Sequence, residues 1–214
     1  MAEGLTHVSI YDTSPGKAYL QEHLAPYTEY KRKLTLSAVD IENGQIVNMT
    51  DENTPVDQLY LSVLASASVP GAFPPTEING RLLVDGMTAY NTNIQVAIDR
   101  CRELVGEDAD DSKITIDVMI CEKPSSIEQW DKIGNSWSQF FRARSLSNTY
   151  HGSDAIAGVQ RAHPNINWRH TVYQSMKAEG FDEIDFSNKI TDPLQAAGKV
   201  DGKAAVDAMN EDNN

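Results

Sequence analysis

The residue best placed to do chemistry in this chain is a carboxylate, Asp85. It closes the apolar run "RLLV" and is followed by Gly86, inside the stretch "ASASVPGAFPPTEINGRLLVDGMTAYN" from Ala65 to Asn91. A carboxylate at a strand end, beside a residue without a Cβ, can stand at a rim and accept a proton from a nucleophile. On the Asp-Gly dipeptide alone, a plain turn aspartate is the simpler reading. Its surroundings argue for more: Pro70-Gly71, Pro74-Pro75 and Asn79-Gly80 crowd backbone-special residues just ahead of it.

Other residue types that could carry chemistry are less well placed. Ser153 in "YHGSDAIAG" lacks the second glycine and the preceding strand of a nucleophile elbow, and reads as a loop entering a helix. His7, His23, His151, His163 and His170 are scattered without metal-ligand spacing and read as solvated or structural, so neither metal nor cofactor is expected. Glu107, Asp108, Asp110 and Asp111 lack the alternating ligands and central glycine of a calcium loop and read as a solvated acidic loop. Cys101 and Cys121 read as reduced thiols, one on a helix and one at a strand end. "WSQFFRARSLSNTY", with Arg142 and Arg144, could meet lipid head groups but fits an amphipathic packing helix better.

The elements that must position Asp85 follow from periodicity and turn chemistry. A short helix is expected over 15–31 after the Pro-Gly turn. Leu34–Ile41 alternates as a strand, turns at Asn43-Gly44 and pairs with "IVNMT". Val56–Ser68 has helical apolar spacing at Leu59, Val63, Leu64 and Ala67, with Asp51 or Thr54 as the cap. A second hairpin turns at Asn79-Gly80, and its inner strand, Leu82–Val84, ends on Asp85. Further on come a helix over Ile94–Val105, a strand over Ile114–Ile120 with Asp117 inside it, and a mostly helical stretch over 126–160. "NWRHTVYQ" reads as a strand, and Pro193–Met209 as a helix broken at Gly198. Strands alternating with helices predict a layered α/β sheet with flanking helices, whose catalytic side chains stand at the carboxyl ends of strands.

Composition narrows the function classes. The 214 residues carry 31 acidic and 18 basic side chains, a net charge of −13. That field repels phosphate backbones, which argues against nucleic acid, and it opposes adsorption to anionic lipid. No apolar run approaches the ~20 residues of a membrane span. "MAEGLTHVSIYDTSPG" has neither the basic nor the apolar region of a signal peptide. A soluble, cytoplasmic chain is the expectation.

The stretch around Asp85 resembles the closing active-site segment of the patatin-like phospholipases. Matching positions are Ala65, Ser66, Ser68, Pro70, Gly71, Phe73, Pro74, Pro75, Gly80, Asp85, Gly86 and Asn91. "LTLSAVDIENGQ", with Asp40 and Gly44, is similar to the family's preceding strand, and "DFSNKITDPLQAAGKVDGKAAV" to its final helix. The resemblance implies a Ser–Asp dyad acting on lipid esters at a membrane or droplet surface. Asp85 would be the proton acceptor, supported by Gly86, Pro70, Gly71, Pro74 and Asn91.

The chain departs from the family pattern at Met87, where a glycine or alanine is usual, and at Asn93, where proline is usual. No G-x-S-x-G occurs in the 214 residues. The resemblance therefore implies a C-terminal part lacking the N-terminal strands and the nucleophile elbow. Residues 1–105 would carry the Asp-Gly part of the catalytic domain, and 106–214 the remaining strands and helices. A non-catalytic relative that binds lipid or a protein partner is the alternative.

Overall fold

The computed structural model describes residues 9–90, 92–106, 110–121, 153–176 and 187–212, together with 139, 142–143, 146–147 and 185. The chain divides into two compact units, Met1–Val96 and Ala97–Asn214. The class is α/β with flanking helices.

In the first unit, helix α1 (Ser14–Leu24) precedes strands β1 (Thr35–Asp40) and β2 (Ile46–Thr50). Helix α2 (Leu59–Ser66) follows, then strands β3 (Thr76–Ile78) and β4 (Arg81–Asp85). The strands form one antiparallel sheet in the order β2-β1-β4-β3. The Asn-Gly reading holds at the β3–β4 turn, where Asn79 (φ 52°) and Gly80 (φ 74°) both take the left-handed conformation that a tight two-residue hairpin requires. The β1–β2 connection is longer, and buried Asp40 organises it. Its Oδ1 accepts from the Glu42 N–H (3.0 Å) and its Oδ2 from Asn43 Nδ2 (2.9 Å).

Alternation along the strands puts Leu36, Ala38, Val47, Met49, Ile78 and Leu83 into one apolar cluster with Ala65 of α2. The buried positions of α2 are Ser62 and Ala65, whereas Ala67 is exposed, so the expected stripe at Leu59, Val63, Leu64 and Ala67 is corrected. "LYLSVLAS" is apolar nearly all round, so period alone cannot choose its face. Small side chains mark where the helix backbone comes closest to the sheet. The expected cap is corrected as well. The helical run opens with a 3-10 turn, Val56–Gln58, behind Pro55 and without a side-chain cap. Asp51 instead accepts the Leu34 N–H (2.9 Å) at the far end of the hairpin. Helix α1 begins one residue before Pro15, which fits a first turn whose N–H groups lack intrahelical partners, and it stops ahead of Pro26 rather than running to 31.

Helix α3 (Ile94–Val105) spans the expected residues. In the second unit, strand β5 (Thr115–Ile120) pairs in parallel with β6 (Asn167–Tyr173), with helices α4 (Ser153–Ala162) and α5 (Asn188–Asp212). Ile116, Val118 and Ile120 bury one face of β5, while Thr115, Asp117 and Met119 are exposed on the other. Helix α5 runs unbroken through Gly198 and begins five residues ahead of Pro193, which corrects both expected limits. A helical glycine costs about 1 kcal/mol relative to alanine, too little to stop a 25-residue helix by itself. Asp201 on this helix accepts the Ser175 N–H (2.9 Å) at the end of β6. Among the described residues, no helix is long and apolar enough to cross a membrane. Most of the stretch expected to be helical before Ser153, including Arg144, lies outside the described residues.

Candidate active site

β4 delivers Asp85 to the end of α2, where the Asp85 N–H donates to the Ser68 carbonyl (3.0 Å). The chain then leaves the strand in a 3-10 turn, Gly86–Thr88, and Asp85 Oδ1 accepts the Met87 N–H (2.9 Å). The half-buried carboxylate is thus held by a backbone donor. That donor is independent of the Met87 side chain, so the departure from a small residue leaves this bond intact.

Gly86 is buried for a reason the dipeptide did not give. Its φ is not positive, so the position does not use the left-handed conformation that glycine allows. A Cβ placed there would lie 2.5 Å from the Ser37 carbonyl oxygen and 2.9 Å from its carbon. The position requires glycine because β1 backbone passes directly against it.

Ser37 is the hub of this region. Ser66 Oγ, from the last turn of α2, donates to the Ser37 carbonyl (2.9 Å). Ser37 Oγ donates to Asn48 Oδ1 (2.8 Å), and Asn93 Nδ2 reaches both Ser37 Oγ (3.2 Å) and Asn48 Oδ1 (3.4 Å). The segment that follows the Asp-Gly turn is thereby fastened to β1 and β2. Ser68, which is buried, bonds the Leu64 carbonyl (2.7 Å) and Thr76 Oγ1 (3.0 Å), tying the end of α2 to the start of β3. The small-residue run "ASAS" therefore works through its hydroxyls as well as its size.

Pro70-Gly71 turns the chain away from α2, with Gly71 at φ 84° and the Ala72 and Phe73 N–H groups on the Val69 carbonyl (3.1 and 3.0 Å). Ile10 and Tyr11 donate to the Gly71 and Ala72 carbonyls (3.1 and 2.9 Å), and the Tyr11 and Phe73 rings lie 5.7 Å apart. Pro74 is half-buried on the way into β3. Asp85, Gly86, Ser66, Ser68 and Asn93 are thus joined through one bonded framework. Asn91 lies outside the described residues.

The remaining candidates stand elsewhere. Ser153 opens α4 in the second unit. His23 bonds the Tyr19 carbonyl and stacks on its ring, while His7 and His151 lie outside the described residues. His170 pairs with Asp117 in the β5–β6 register. Asp111 departs from the solvated-loop reading: Arg102 grips it through two bonds (2.9 and 2.7 Å), which hold its carboxyl below the usual carboxylate range. His163 Nδ1 stands 3.7 Å from the same carboxylate and 3.3 Å from Arg102. Asp110 caps the turn beside it through the Ser112 N–H (3.0 Å), and Glu107 and Asp108 lie outside the described residues. Cys101 and Cys121 are free thiols, on α3 and just past β5. Asp117 is paired with Arg169 through two hydrogen bonds, one of 2.9 Å to Oδ1 and one to Oδ2.

Sequence reasoning missed Ser37, Asn48 and Asn93 as a unit. They are 11 and 45 residues apart along the chain, and no local pattern joins them. Asp40 could have been found from D-x-x-N-G, an aspartate placed to bond the turn that follows it.

Comparison with known proteins reaches the same region. Residues 3–98 match the family model of the patatin-like phospholipases. The matched segment contains Asp85 and the framework around it, and it covers less than half of the 214 residues. The tail similarity read from "DFSNKITDPLQAAGKVDGKAAV" falls beyond its end. No curated protein matches the chain.

Proposed function

We propose, from the patatin-like phospholipase match over residues 3–98, that this chain provides the base-bearing part of a serine lipid acyl hydrolase. Asp85 is the general base of a Ser–Asp dyad, and the serine belongs to an elbow outside these 214 residues. The observation that carries this reading is the coincidence of the family match with a strand-end carboxylate held by the Met87 N–H.

The chemistry is acyl transfer. A serine hydroxyl is a weak nucleophile until a base takes its proton as it attacks the ester carbonyl. Asp85 accepts that proton and returns it to the departing alcohol or lysolipid. Backbone N–H donors of the elbow's own segment would stabilise the tetrahedral oxyanion. Gly86 sets the depth of the carboxylate against β1, and Ser66, Ser68 and Asn93 fix the segments on either side of it.

A second reading, a relative that binds lipid or a protein partner without catalysis, draws on the lack of any G-x-S-x-G in the chain. Ester hydrolysis by the chain alone tests the assignment of roles. With no elbow serine, a short-chain nitrophenyl ester and a phospholipid should both turn over at the buffer rate. Turnover abolished by a serine-directed fluorophosphonate would contradict it, because a serine of this chain would then be the nucleophile.

A further inference from the structure

A cavity of about 310 Å³ in the first unit lies between β2, the β3–β4 hairpin and the start of α2. Its lining is mixed. Val47, Met49 and Leu83 bring aliphatic carbon from the strands. Ser62 brings a hydroxyl, Gln58 and Asn79 bring carboxamides, and Arg81 brings a guanidinium.

Ser62 sets the character of the cavity. It stands in the middle of α2 and is only 2% exposed. The next two serines along the chain are paired: Ser66 Oγ donates to the Ser37 carbonyl (2.9 Å) and Ser68 Oγ to the Leu64 carbonyl (2.7 Å). The Ser62 hydroxyl has no hydrogen-bond partner among the described residues. Every side-chain polar atom sealed from solvent does have one among those residues. The Ser62 oxygen is therefore reached from the cavity it lines. A buried hydroxyl left unpaired costs stability that an alanine would not. The side chains of Gln58, Asn79 and Arg81 are also without hydrogen-bond partners among the described residues.

These groups choose the ligand by their chemistry. Among the described residues that line the cavity, none is aromatic and none is acidic. A planar base or a sugar ring thus finds no ring to stack on, and a cation finds no counter-charge. One exposed guanidinium on a chain of net charge −13 is a poor match for a polyanion. The complement of this lining is a neutral molecule with hydroxyls and aliphatic C–H on one short skeleton. A hydroxyl can donate to a carboxamide oxygen and accept from its nitrogen, while the carbons lie on Val47, Met49 and Leu83. The volume is at the small end of the ~300–1,000 Å³ range of ligand pockets, which selects a small molecule.

We infer that this cavity is a binding site for a short acyclic polyol, one of whose hydroxyls pairs with the buried Ser62 Oγ and the others with Gln58, Asn79 and Arg81. The site does not draw on the role assigned to Asp85, which is not among the lining residues.

Titration of the full chain with glycerol, erythritol and xylitol, followed by the methyl resonances in NMR spectra, tests the inference. Saturable shifts are expected at Val47, Met49 and Leu83, and none at Ile116 and Val118 of the second unit. Each added hydroxyl should tighten binding about threefold to tenfold until the polar groups are paired. Ser62→Ala should weaken xylitol about tenfold while Tm stays equal or rises, because the hydroxyl it removes has no partner in the unbound protein. Arg81→Gln, at an exposed position, should weaken xylitol about threefold. Pentanediol with terminal hydroxyls only, which keeps the carbon chain of xylitol, should bind at least about tenfold more weakly. Added salt should leave the affinity unchanged, as for an uncharged ligand. Shifts that never saturate, wild-type affinity in Ser62→Ala, or pentanediol binding as tightly as xylitol would each overturn it.

Discussion

Gly86 shows how a single residue sets the position of the proposed base. Its missing Cβ leaves room for the Ser37 carbonyl, and a methyl group there would sit 2.5 Å from that oxygen. That neighbour is strand backbone, which cannot swing aside as a side chain could. Gly86→Ala should therefore lower stability by about 1–3 kcal/mol, as overpacking does. The check is a urea midpoint that falls while the slope of the transition stays constant. An unchanged midpoint would mean that β1 and the Asp-Gly turn can separate without cost. At Asp85 itself the expectation differs. An asparagine oxygen still accepts the Met87 N–H, so Asp85→Asn keeps the turn and loses only the ability to take a proton.

At the scale of elements, the Ser37–Asn48–Asn93 bonds join β1, β2 and the approach to α3. Asn93→Ala should remove the two bonds made by Nδ2 and lower stability by about 1 kcal/mol, read as a drop in Tm, without altering the strands. In the second unit, β5 and β6 are linked on their exposed face by Asp117 and Arg169. The hydrogen bonds from Arg169 lower the Asp117 pKa from 3.8. A depressed carboxylate pKa contributes stability above its unfolded value and loses it as pH falls through the folded value. The cost of Arg169→Gln should therefore be present at pH 7 and shrink as pH falls below 3.8. A cost that stays constant with pH would mean that Arg169 acts by packing alone.

What could be read in advance was local. Asn79-Gly80 announced its hairpin because two left-handed residues in succession need that chemistry, and Asp85 at the end of "RLLV" announced the strand end. The buried face of α2 was illegible because Leu, Tyr and Val surround Ser62 and Ala65. The requirement for Gly86 was illegible because it comes from a carbonyl 49 positions earlier in the chain. The limits of α5 were misread because Pro193 and Gly198 signal breaks that the rest of the helix overrides.

At the scale of the whole molecule, the proposed catalytic machinery is divided. Residues 3–98 match the patatin-like phospholipases and hold the carboxylate in a bonded framework, while no serine in the chain stands in a G-x-S-x-G elbow. The most direct measurement is the steady-state hydrolysis of a nitrophenyl ester by the chain expressed together with an elbow-bearing segment, as wild type and as Asp85→Asn. The account predicts that kcat falls by about 10²–10⁴-fold in the variant, as for loss of a positioned base, while the urea midpoint stays where it was. Wild-type turnover by Asp85→Asn would contradict it and leave Asp85 as a turn residue.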